Sequence, residues 1–428
     1  MRQESLFPEQ AEPEAEVTPR RLVRVLPDEP AIRREFDYLV PAAWEQSVEV
    51  GSPVRISLHG RRVRGWITEL DVEPQPGLVL QELLRHSGVG PGAFILDLAR
   101  WAAHRWAGSV ASMLRTASPP TQVERLHPVS TQKSLPHAVH DESLEVALTS
   151  GGTSVVRFPP HTNEVAAILQ IAALGQILVV TPTAARAREL AVGCRRAGLE
   201  LGLLPRDWAR VAGGASGIGP RSAVFARMPS CRALVVFDAH DESLQGEQTP
   251  TWNARDVAVE RARRLGVPCV LISPVPDLAT LALGQVLVPA RTTERAGWPV
   301  AEIIDRRGDA PGPGSMFSER LVDLVRGDQR VVCVLNRKGR AKLLRCANCD
   351  ALGQCEKCGA SVHLEADTLV CGTCATERPQ ICLACSSTKL KRLRPGVKRI
   401  AEELEALAGR PVLEVTASTK LVPPEARL

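Results

Sequence analysis

Eight of the twelve cysteines in this 428-residue chain lie between positions 346 and 385. They form four C-x-x-C pairs, which are separated by five, twelve and seven residues. A C-x-x-C pair points two sulfurs at one centre, and a closed structural zinc site takes four such sulfurs. The cluster therefore predicts two structural metal centres, although the four pairs by themselves allow three combinations. Redox thiols are a weaker interpretation, because redox C-x-x-C motifs normally occur singly.

The compartment decides whether such cysteines bind metal or form disulfides. The first residues, MRQESLFPEQAEPEAE, are acidic and lack the apolar stretch of a signal peptide. No apolar run reaches the roughly 18 residues that a membrane-spanning helix needs. We therefore expect a cytoplasmic protein with reduced thiols. The other four cysteines occur singly in apolar runs and are predicted to be core residues: Cys194, Cys231, Cys269 and Cys333.

Strand-like runs alternate with helical patterns between residues 144 and 300. The runs are LEVALTS (144–150), ILVVTPT (177–183), RALVVFDAH (232–240) and PCVLISP (268–274). Strands that alternate with helices predict a parallel sheet with both faces covered. Ligands of such a sheet bind at the carboxyl ends of its strands.

A nucleotide site at those ends is only weakly indicated. A phosphate-binding loop needs GxxxxGK[ST], and the chain contains no Gly-Lys dipeptide. Where the loop is expected the chain reads SGGTSVVRFPPHTNE, so Gly151, Gly152 and Thr153 are predicted to form a degenerate site. After ALVVF the chain has Asp238 and His240, but no glutamate beside Asp238. We therefore expect no catalytic residue, regard ATP as a doubtful cofactor, and predict that the chain is not an enzyme.

Several stretches resemble the PriA family of replication restart helicases (primosomal protein N prime), and most of all its actinobacterial forms. They are the eight-cysteine pattern after VVCVLNRKGRAKLLRC, the tail PGVKRIAEELEAL, GPRSAVFARM (219–228), DAHDESLQGEQTPTWNARDVAVERA, SPVPD (273–277) and FDYLVPAAWEQSVEVGSPVRISLHGRRVRGWI. The resemblance extends over nearly the whole chain from about residue 21. It implies a multidomain α/β protein with a small β-rich N-terminal DNA-binding domain and a RecA-like parallel α/β lobe. A partial second lobe would be interrupted by a two-zinc cysteine module.

The resemblance also implies domain boundaries. Residues 1–20 are predicted to be a disordered acidic tail, 21–118 a domain that binds DNA 3′ ends, and 119–143 a linker in which the family's winged helix is absent or reduced. Residues 144–300 would form a degenerate helicase lobe 1, 315–345 the start of lobe 2, 346–388 the zinc-binding module and 389–428 a remnant of lobe 2. Two helices and two strands are expected within 315–336 and 396–417. We interpret the C-terminus as truncated or frameshifted, with its last ~40 residues loosely held.

Site residues follow from the same resemblance. One zinc would be held by Cys346, Cys349, Cys382 and Cys385, and the other by Cys355, Cys358, Cys371 and Cys374. Phe36, Asp37 and Tyr38 would form a pocket for a DNA 3′ terminus, with Gly51 as its turn residue. The Tyr38 ring would stack on a terminal base and Asp37 would accept a bond from the 3′ hydroxyl. Arg61, Arg62 and Arg64 would either grip phosphates or charge a solvated edge strand, and Arg221 would line the single-strand path.

Together these features predict a DNA-binding replication restart protein without ATPase or helicase activity. It would recognise stalled or abandoned forks and help to reload the replicative helicase. Its partners would be forked and single-stranded DNA, single-strand-binding protein and other primosome or helicase-loading proteins, with two zinc ions as cofactors. The alternatives are an active ATP-dependent 3′ to 5′ helicase and a zinc-ribbon protein of transcription or RNA metabolism.

Overall fold

The structure is a computed structural model that describes residues 21–29, 31–73, 80–129, 140–305, 317–334, 344–392 and 397–415. The predicted acidic tail (1–20) and the end of the chain (416–428) lie outside the described residues. The chain divides into two compact units, Met1–Val300 and Ala301–Leu428. Among the described residues, no helix has the length and apolar character needed to cross a bilayer.

The N-terminal part of the first unit is a six-stranded sheet. Its strands are β1 Leu22–Pro27, β2 Phe36–Leu39, β3 Pro53–Leu58, β4 Arg61–Leu70, β5 Gln81–Glu82 and β6 Arg85–His86. They lie in the order β5-β2-β1-β4-β3-β6. Along β3 and β4 buried and exposed residues alternate, as expected for a sheet with one apolar face. The predicted hairpin between them turns at His59 and Gly60, whose φ angles are +49° and +74°.

One short segment closes this sheet. The amide of Leu83 donates to the Leu39 carbonyl over 3.0 Å, and the amide of Leu84 donates to the Arg55 carbonyl over 2.9 Å. The chain from β5 to β6 therefore pairs with both edges of the sheet, β2 on one side and β3 on the other. The result is a small barrel, whose interior holds the apolar side chains of all four longer strands.

The rest of the first unit is helical or belongs to a parallel sheet. Two helices follow the barrel, α1 Ala93–Arg105 and α2 Val110–Ala117. The other helices are α3 Glu142–Thr149, α4 Glu164–Ala172, α5 Ala184–Arg196, α6 Trp208–Ala212, α7 Ala254–Leu265, α8 Leu278–Leu281 and α9 Arg291–Gly297. The strands are β7 Thr153–Arg157, β8 Gln176–Val180, β9 Gly202–Leu203, β10 Gly217–Gly219, β11 Cys231–Val236, β12 Cys269–Ser273 and β13 Gln285–Leu287. Short 3-10 helices cover Ala42–Trp44, Arg221–Phe225 and Glu242–Leu244.

The seven strands run in the order β13-β7-β12-β11-β8-β10-β9, and every described pair is parallel. Both faces of the sheet are buried. Ile177 and Val179 pack with α3, α4 and α5 on one face, and Leu178 and Val180 pack with α7 on the other. The predicted parallel sheet with two covered faces is therefore correct.

The helices α1 and α2 belong to the same hydrophobic core as the parallel sheet. Their buried residues cluster with Phe225 and with the apolar side of α7. Trp208 of α6 donates its indole N–H to the Ala117 carbonyl at the end of α2, over 2.9 Å. Arg227 pairs with Glu49 and also donates to the Gly90 carbonyl, which fastens the barrel to the lobe.

The segment LEVALTS was wrongly predicted to be a strand. It forms α3, because the Asp141 side chain accepts a bond from the Leu144 amide over 2.9 Å and caps the helix. Leu144 and Ala147 are buried on one side of this helix, three residues apart. The first strand of the sheet is β7, which begins three residues after the helix C-cap, Ser150.

The second unit contains two small cores. Helices α10 Glu319–Arg326 and α11 Val397–Ala408 bury Val325, Ile400 and Leu404 against each other. Arg410 donates to the Val325 carbonyl over 2.8 Å, so the chain remains attached just beyond α11. The cysteine-rich part has five short strands: β14 Leu344–Cys346, β15 Val362–Glu365, β16 Thr368–Cys371, β17 Glu377–Pro379 and β18 Leu390–Arg392.

The two predicted helices of lobe 2 are present, but its two strands are not found among the described residues. Residues 331–334 and 411–415 have no strand pairing. Cys333 is consequently exposed, so its prediction as a core residue was wrong, because no sheet covers it. Cys194, Cys231 and Cys269 are buried as predicted.

Candidate nucleic-acid interface and metal centres

The eight clustered cysteines form two groups of four. Within each group the sulfurs lie within 4.8 Å of one another, and neighbouring sulfurs are 3.4 to 3.7 Å apart. A tetrahedral zinc with Zn–S bonds of ~2.3 Å would separate its sulfurs by about 3.8 Å. The donor set and its spacing therefore fit zinc. The groups are Cys346, Cys349, Cys382 and Cys385, and Cys355, Cys358, Cys371 and Cys374, the nested grouping that the resemblance implied.

Hydrogen bonds favour the thiolate, the form that binds metal, at some of the eight cysteines, whereas bonds to neighbouring sulfurs raise the pKa of Cys349 and of Cys358 to about 12. The amide N–H groups of Asn348 and Cys349 lower the pKa of Cys346 to about 6. The Thr376 hydroxyl lies 3.1 Å from the sulfur of Cys374 and lowers its pKa to about 6. His363 is not a member of either group, and its Nε2 pairs with Glu365 over 2.9 Å.

A cavity of about 720 Å³ opens at one end of the barrel. Phe36, Asp37 and Tyr38 line it, so the structure brings together the three residues that the sequence predicted for one pocket. Its wall is rich in charge, with three arginines and one glutamate: Arg24, Arg33, Arg34 and Glu35. Ser57, Leu58, His59, Leu80 and Gln81 complete it.

The aromatic residues of the cavity have different roles. Tyr38 is only 4% exposed and its hydroxyl donates to the Ser57 carbonyl over 2.8 Å. Its ring belongs to the barrel core and does not offer the stacking face that was predicted for it, because the closed sheet surrounds it. Phe36 is half-buried, and the guanidinium of Arg34 lies 4.6 Å from its ring centroid.

Asp37 is held in a defined orientation. Its Oδ1 accepts a bond from Nε of Arg24 over 2.9 Å, while Nη1 of Arg24 donates to Glu69 over 2.8 Å. Among the described residues, Oδ2 of Asp37 makes no hydrogen bond. One oxygen of this carboxylate is therefore fixed by Arg24, and the other is available to a donor from a ligand.

Gly51 does not line the cavity, which differs from its predicted position. It has a φ of +89°, and a Cβ added there would lie 2.4 Å from the amide nitrogen of Gly92. Gly51 is thus needed where the barrel meets the start of α1, since only glycine permits this approach.

Arg61, Arg62 and Arg64 are all exposed on β4, and none forms an ion pair with a described residue. They do not share one face. Arg62 and Arg64 lie opposite Ser57 and Arg55 on the outer side of β3, whereas Arg61 lies opposite the buried Leu58. The sequence did not single out Arg55, although the alternation of PVRISL places it on that outer face.

The carboxyl edge of the parallel sheet holds only part of the predicted nucleotide site. Gly151, Gly152 and Thr153 come before or at the start of β7, so they lie at the opposite, amino edge. The loop between the carboxyl end of β7 and α4 is FPPHTN, residues 158–163. Placing the glycines in the site was therefore wrong, because the strand begins later than the sequence suggested.

Asp238, His240 and Arg221 do lie at the carboxyl edge. His240 Nδ1 is 2.8 Å from the Ser273 hydroxyl at the end of β12, so DAHD and SPVPD meet there. Nε of Arg186 is 3.9 Å from Asp238. Arg186 also pairs with Glu164 at the start of α4, and burial raises the pKa of that carboxyl. Arg186 and Glu164 were missed by the sequence analysis, although both stand in the first turns of helices that follow strands.

Comparison with known proteins gives matches to a family model, to whole proteins and to a solved structure. The family model of the 3′DNA-binding domain (3′BD) of PriA matches residues 24–119. A probable replication restart protein PriA from Mycobacterium tuberculosis is 25% identical over 458 residues, which cover 92% of this chain and 68% of the relative. The chain is thus similar to PriA proteins over most of its length. Replication restart protein PriA from Bacillus subtilis is 29% identical over 202 residues, but this match covers 44% of the chain and 25% of that relative.

A solved structure also matches, the C-terminal domain of a possible DNA helicase from Lactobacillus plantarum. It is 14% identical, covers 37% of this chain and 99% of that chain, and has a TM-score of 0.25.

This similarity to PriA proteins corrects one expectation. The chain was predicted not to be an enzyme, since it lacks a Gly-Lys dipeptide and a glutamate after Asp238. That prediction was wrong, because the PriA proteins that this chain resembles point to a helicase, and helicases are enzymes. The residues found at the carboxyl edge are therefore no ground for denying activity to this chain. The interpretation as a zinc-ribbon protein of RNA metabolism has no support from these matches.

Proposed function

We propose that this chain binds DNA at stalled or abandoned replication forks and acts in replication restart. The barrel would hold the 3′ end of a nascent strand, and the whole chain would help to reload the replicative helicase in the cytoplasm. The observation that carries this proposal is the cavity at the barrel end, which lies within the segment similar to the 3′DNA-binding domain of PriA.

The chemistry of the cavity suits a strand terminus. Its three arginines supply positive charge for backbone phosphates. The Oδ2 atom of Asp37 can accept a bond from a free 3′ hydroxyl, and it would repel a terminal phosphate. The half-buried ring of Phe36 would contact the terminal base in place of Tyr38.

The test compares a synthetic fork that has a 3′ hydroxyl at the branch with the same fork carrying a 3′ phosphate, at fixed salt. Asp37→Asn should reduce the preference for the hydroxyl. Glu69→Gln is the matched control, because Glu69 also bonds to Arg24 but does not line the cavity. Equal binding of both forks by the unsubstituted chain would contradict the proposal.

The two cysteine groups are proposed to bind one zinc ion each. Zinc in a closed four-sulfur site supplies structural stability, so these ions would hold β14 to β18 in place. The module would then present its surface to DNA, to single-strand-binding protein or to other primosome proteins. Pull-down of these candidates with and without zinc chelation tests this role.

Helicase activity is the second proposed function. It is favoured by the bond between His240 and Ser273 at the carboxyl edge, which joins the segments that follow β11 and β12. Hydrolysis of ATP that rises on addition of forked DNA, and that falls in His240→Ala, would support it. A rate of ATP hydrolysis that changes neither with forked DNA nor in His240→Ala would count against a role of His240 and Ser273 in coupling hydrolysis to DNA.

A further inference from the structure

Three arginines form a row across the outer face of the barrel. Arg55 on β3 lies directly opposite Arg64 on β4 and opposite Arg85 on β6. Residues that face each other on neighbouring antiparallel strands have their Cβ atoms about 5 Å apart. All three side chains are exposed. The row thus concentrates three positive charges on one face.

These charges are not balanced within the described residues. Arg55 and Arg64 form no ion pair there, and Arg85 donates to the neutral side-chain oxygen of Gln122 over 2.7 Å. Other arginines of the same part of the chain do have carboxylate partners, as in Arg21 with Asp71 and Arg115 with Asp28. Like charges directly opposite each other in a sheet are destabilising. A bound anion would offset this repulsion between the three arginines.

The row lies beside a groove of about 220 Å³. Ser87, Thr121 and Gln122 add polar side chains to its lining, and Pro119 and Pro120 form part of its wall. No acidic side chain lines this groove in the described part of the chain. Guanidinium forks with neighbouring hydroxyls are the donors that recognise phosphate oxygens.

The groove is separate from the 3′-end cavity, but residues of β3 line both of them. Ser57 and Leu58 at the end of β3 line the cavity, while Pro53, Val54 and Arg55 line the groove. Two residues of a strand span about 7 Å. Arg62, opposite Ser57, lies between the two sites on the outer face.

We propose that the groove of Arg55, Arg64 and Arg85 binds a phosphodiester of the DNA backbone, a few nucleotides before the 3′ end held in the cavity. This inference rests on the proposed DNA-binding function and adds a second contact to it. Phosphate contacts fix the position of a strand and carry no sequence information, so the groove would set the direction in which DNA leaves the barrel.

The test uses single-stranded oligonucleotides in which one phosphate at a time is replaced by a neutral methylphosphonate. In the unsubstituted chain, one or two positions near the 3′ end should weaken binding roughly tenfold, the effect of one lost contact of ~1.4 kcal/mol. In Arg55→Gln/Arg64→Gln the same positions should make no difference. The double variant should also lower the slope of log K against log salt by about 0.7 for each lost single-strand contact.

Two further variants serve as controls for the loss of charge and for the shape of the guanidinium. Arg196→Gln removes an exposed arginine at the end of α5 and should leave the salt slope unchanged. Arg55→Lys keeps the positive charge but loses the forked guanidinium. Its affinity for the oligonucleotide should therefore lie between that of the unsubstituted chain and that of the double variant. Unfolding by urea should show no loss of stability in Arg55→Gln, since repulsion is relieved.

A double variant with an unchanged salt slope and an unchanged response to methylphosphonate would overturn the groove, even if the preference for a 3′ hydroxyl persists. If the unsubstituted chain shows the expected methylphosphonate and salt effects but no preference for a 3′ hydroxyl, the result would count against the cavity and not against the groove.

Discussion

The hydroxyl of Tyr38 donates to the carbonyl of Ser57 over 2.8 Å and joins β2 to β3, which are not neighbours in the sheet order. This bond crosses the barrel at the cavity, so it supports the cavity wall from the inside.

Tyr38→Phe should therefore lower the free energy of unfolding and have a smaller effect on the affinity for DNA. The substitution leaves a carbonyl without its partner, at a cost of about 1–2 kcal/mol in the free energy of unfolding. Urea unfolding of the intact chain measures this, and Phe36→Leu, which keeps an apolar side chain at a half-buried position, is the control. If Tyr38→Phe kept full stability but lost binding to 3′ ends, the hydroxyl would contact DNA and not Ser57.

Glycine 51 and glycine 60 offer a matched pair. Both have positive φ, but a Cβ at Gly60 meets nothing within 4 Å, whereas at Gly51 it meets backbone of Gly92. Gly60→Ala should cost about 1–2 kcal/mol, the cost of the left-handed conformation alone. Gly51→Ala should cost about 3 kcal/mol or more, because the backbone must also shift. Equal losses in thermal stability would contradict the contact between the barrel and α1.

The two metal centres should be separable. Cys346→Ser and Cys358→Ser each remove one sulfur from a different group. If the unsubstituted protein binds two zinc ions as proposed, each variant should retain one per chain. Elemental analysis of purified protein measures this. Cys333→Ser is the control, since Cys333 is exposed and belongs to neither group. Loss of both ions in either variant would mean that the groups fold as one unit.

Glu260 gives a prediction about pH. Bonds from Arg263 and Arg264 lower the pKa of its carboxyl to about 2, from an ordinary value of 4.5. The stabilisation is therefore complete above about pH 4.5 and is lost as the pH falls towards 2. Because Arg263 is well exposed, the contribution should stay below about 1 kcal/mol. Glu260→Gln should reduce the loss of stability between pH 4.5 and pH 2, measured by urea unfolding at each pH. The same dependence of stability on pH in the variant would contradict a stabilising contact of Glu260 with the two arginines.

The elements that could be predicted were those specified by nearby residues. The hairpin of β3 and β4 follows from alternation around His59 and Gly60, and β8, β11 and β12 follow from continuous apolar runs. In α3 the same reasoning failed, because the four apolar residues of LEVALTS suit a strand and a helix equally. The cap from Asp141 decides between them.

The features that could not be predicted depend on residues far apart in the chain. The burial of Tyr38 requires the closure of the sheet by the segment from β5 to β6. The place of Gly51 depends on the backbone at Gly92. Gly151 and Gly152 were misplaced since their position depends on where β7 starts, which its pairing with β12 sets. The grouping of the cysteines came from the family resemblance, because spacing alone left three choices.

The shared core of α1, α2 and the parallel sheet has a consequence for genetic dissection. The segment similar to the 3′DNA-binding domain ends at residue 119, just beyond α2. A fragment cut there would expose the apolar sides of both helices to water and should self-associate. The lobe without that segment would in turn leave one face of its sheet partly bare. A deletion of either part would therefore produce a folding defect, and its phenotype would not measure the loss of one function.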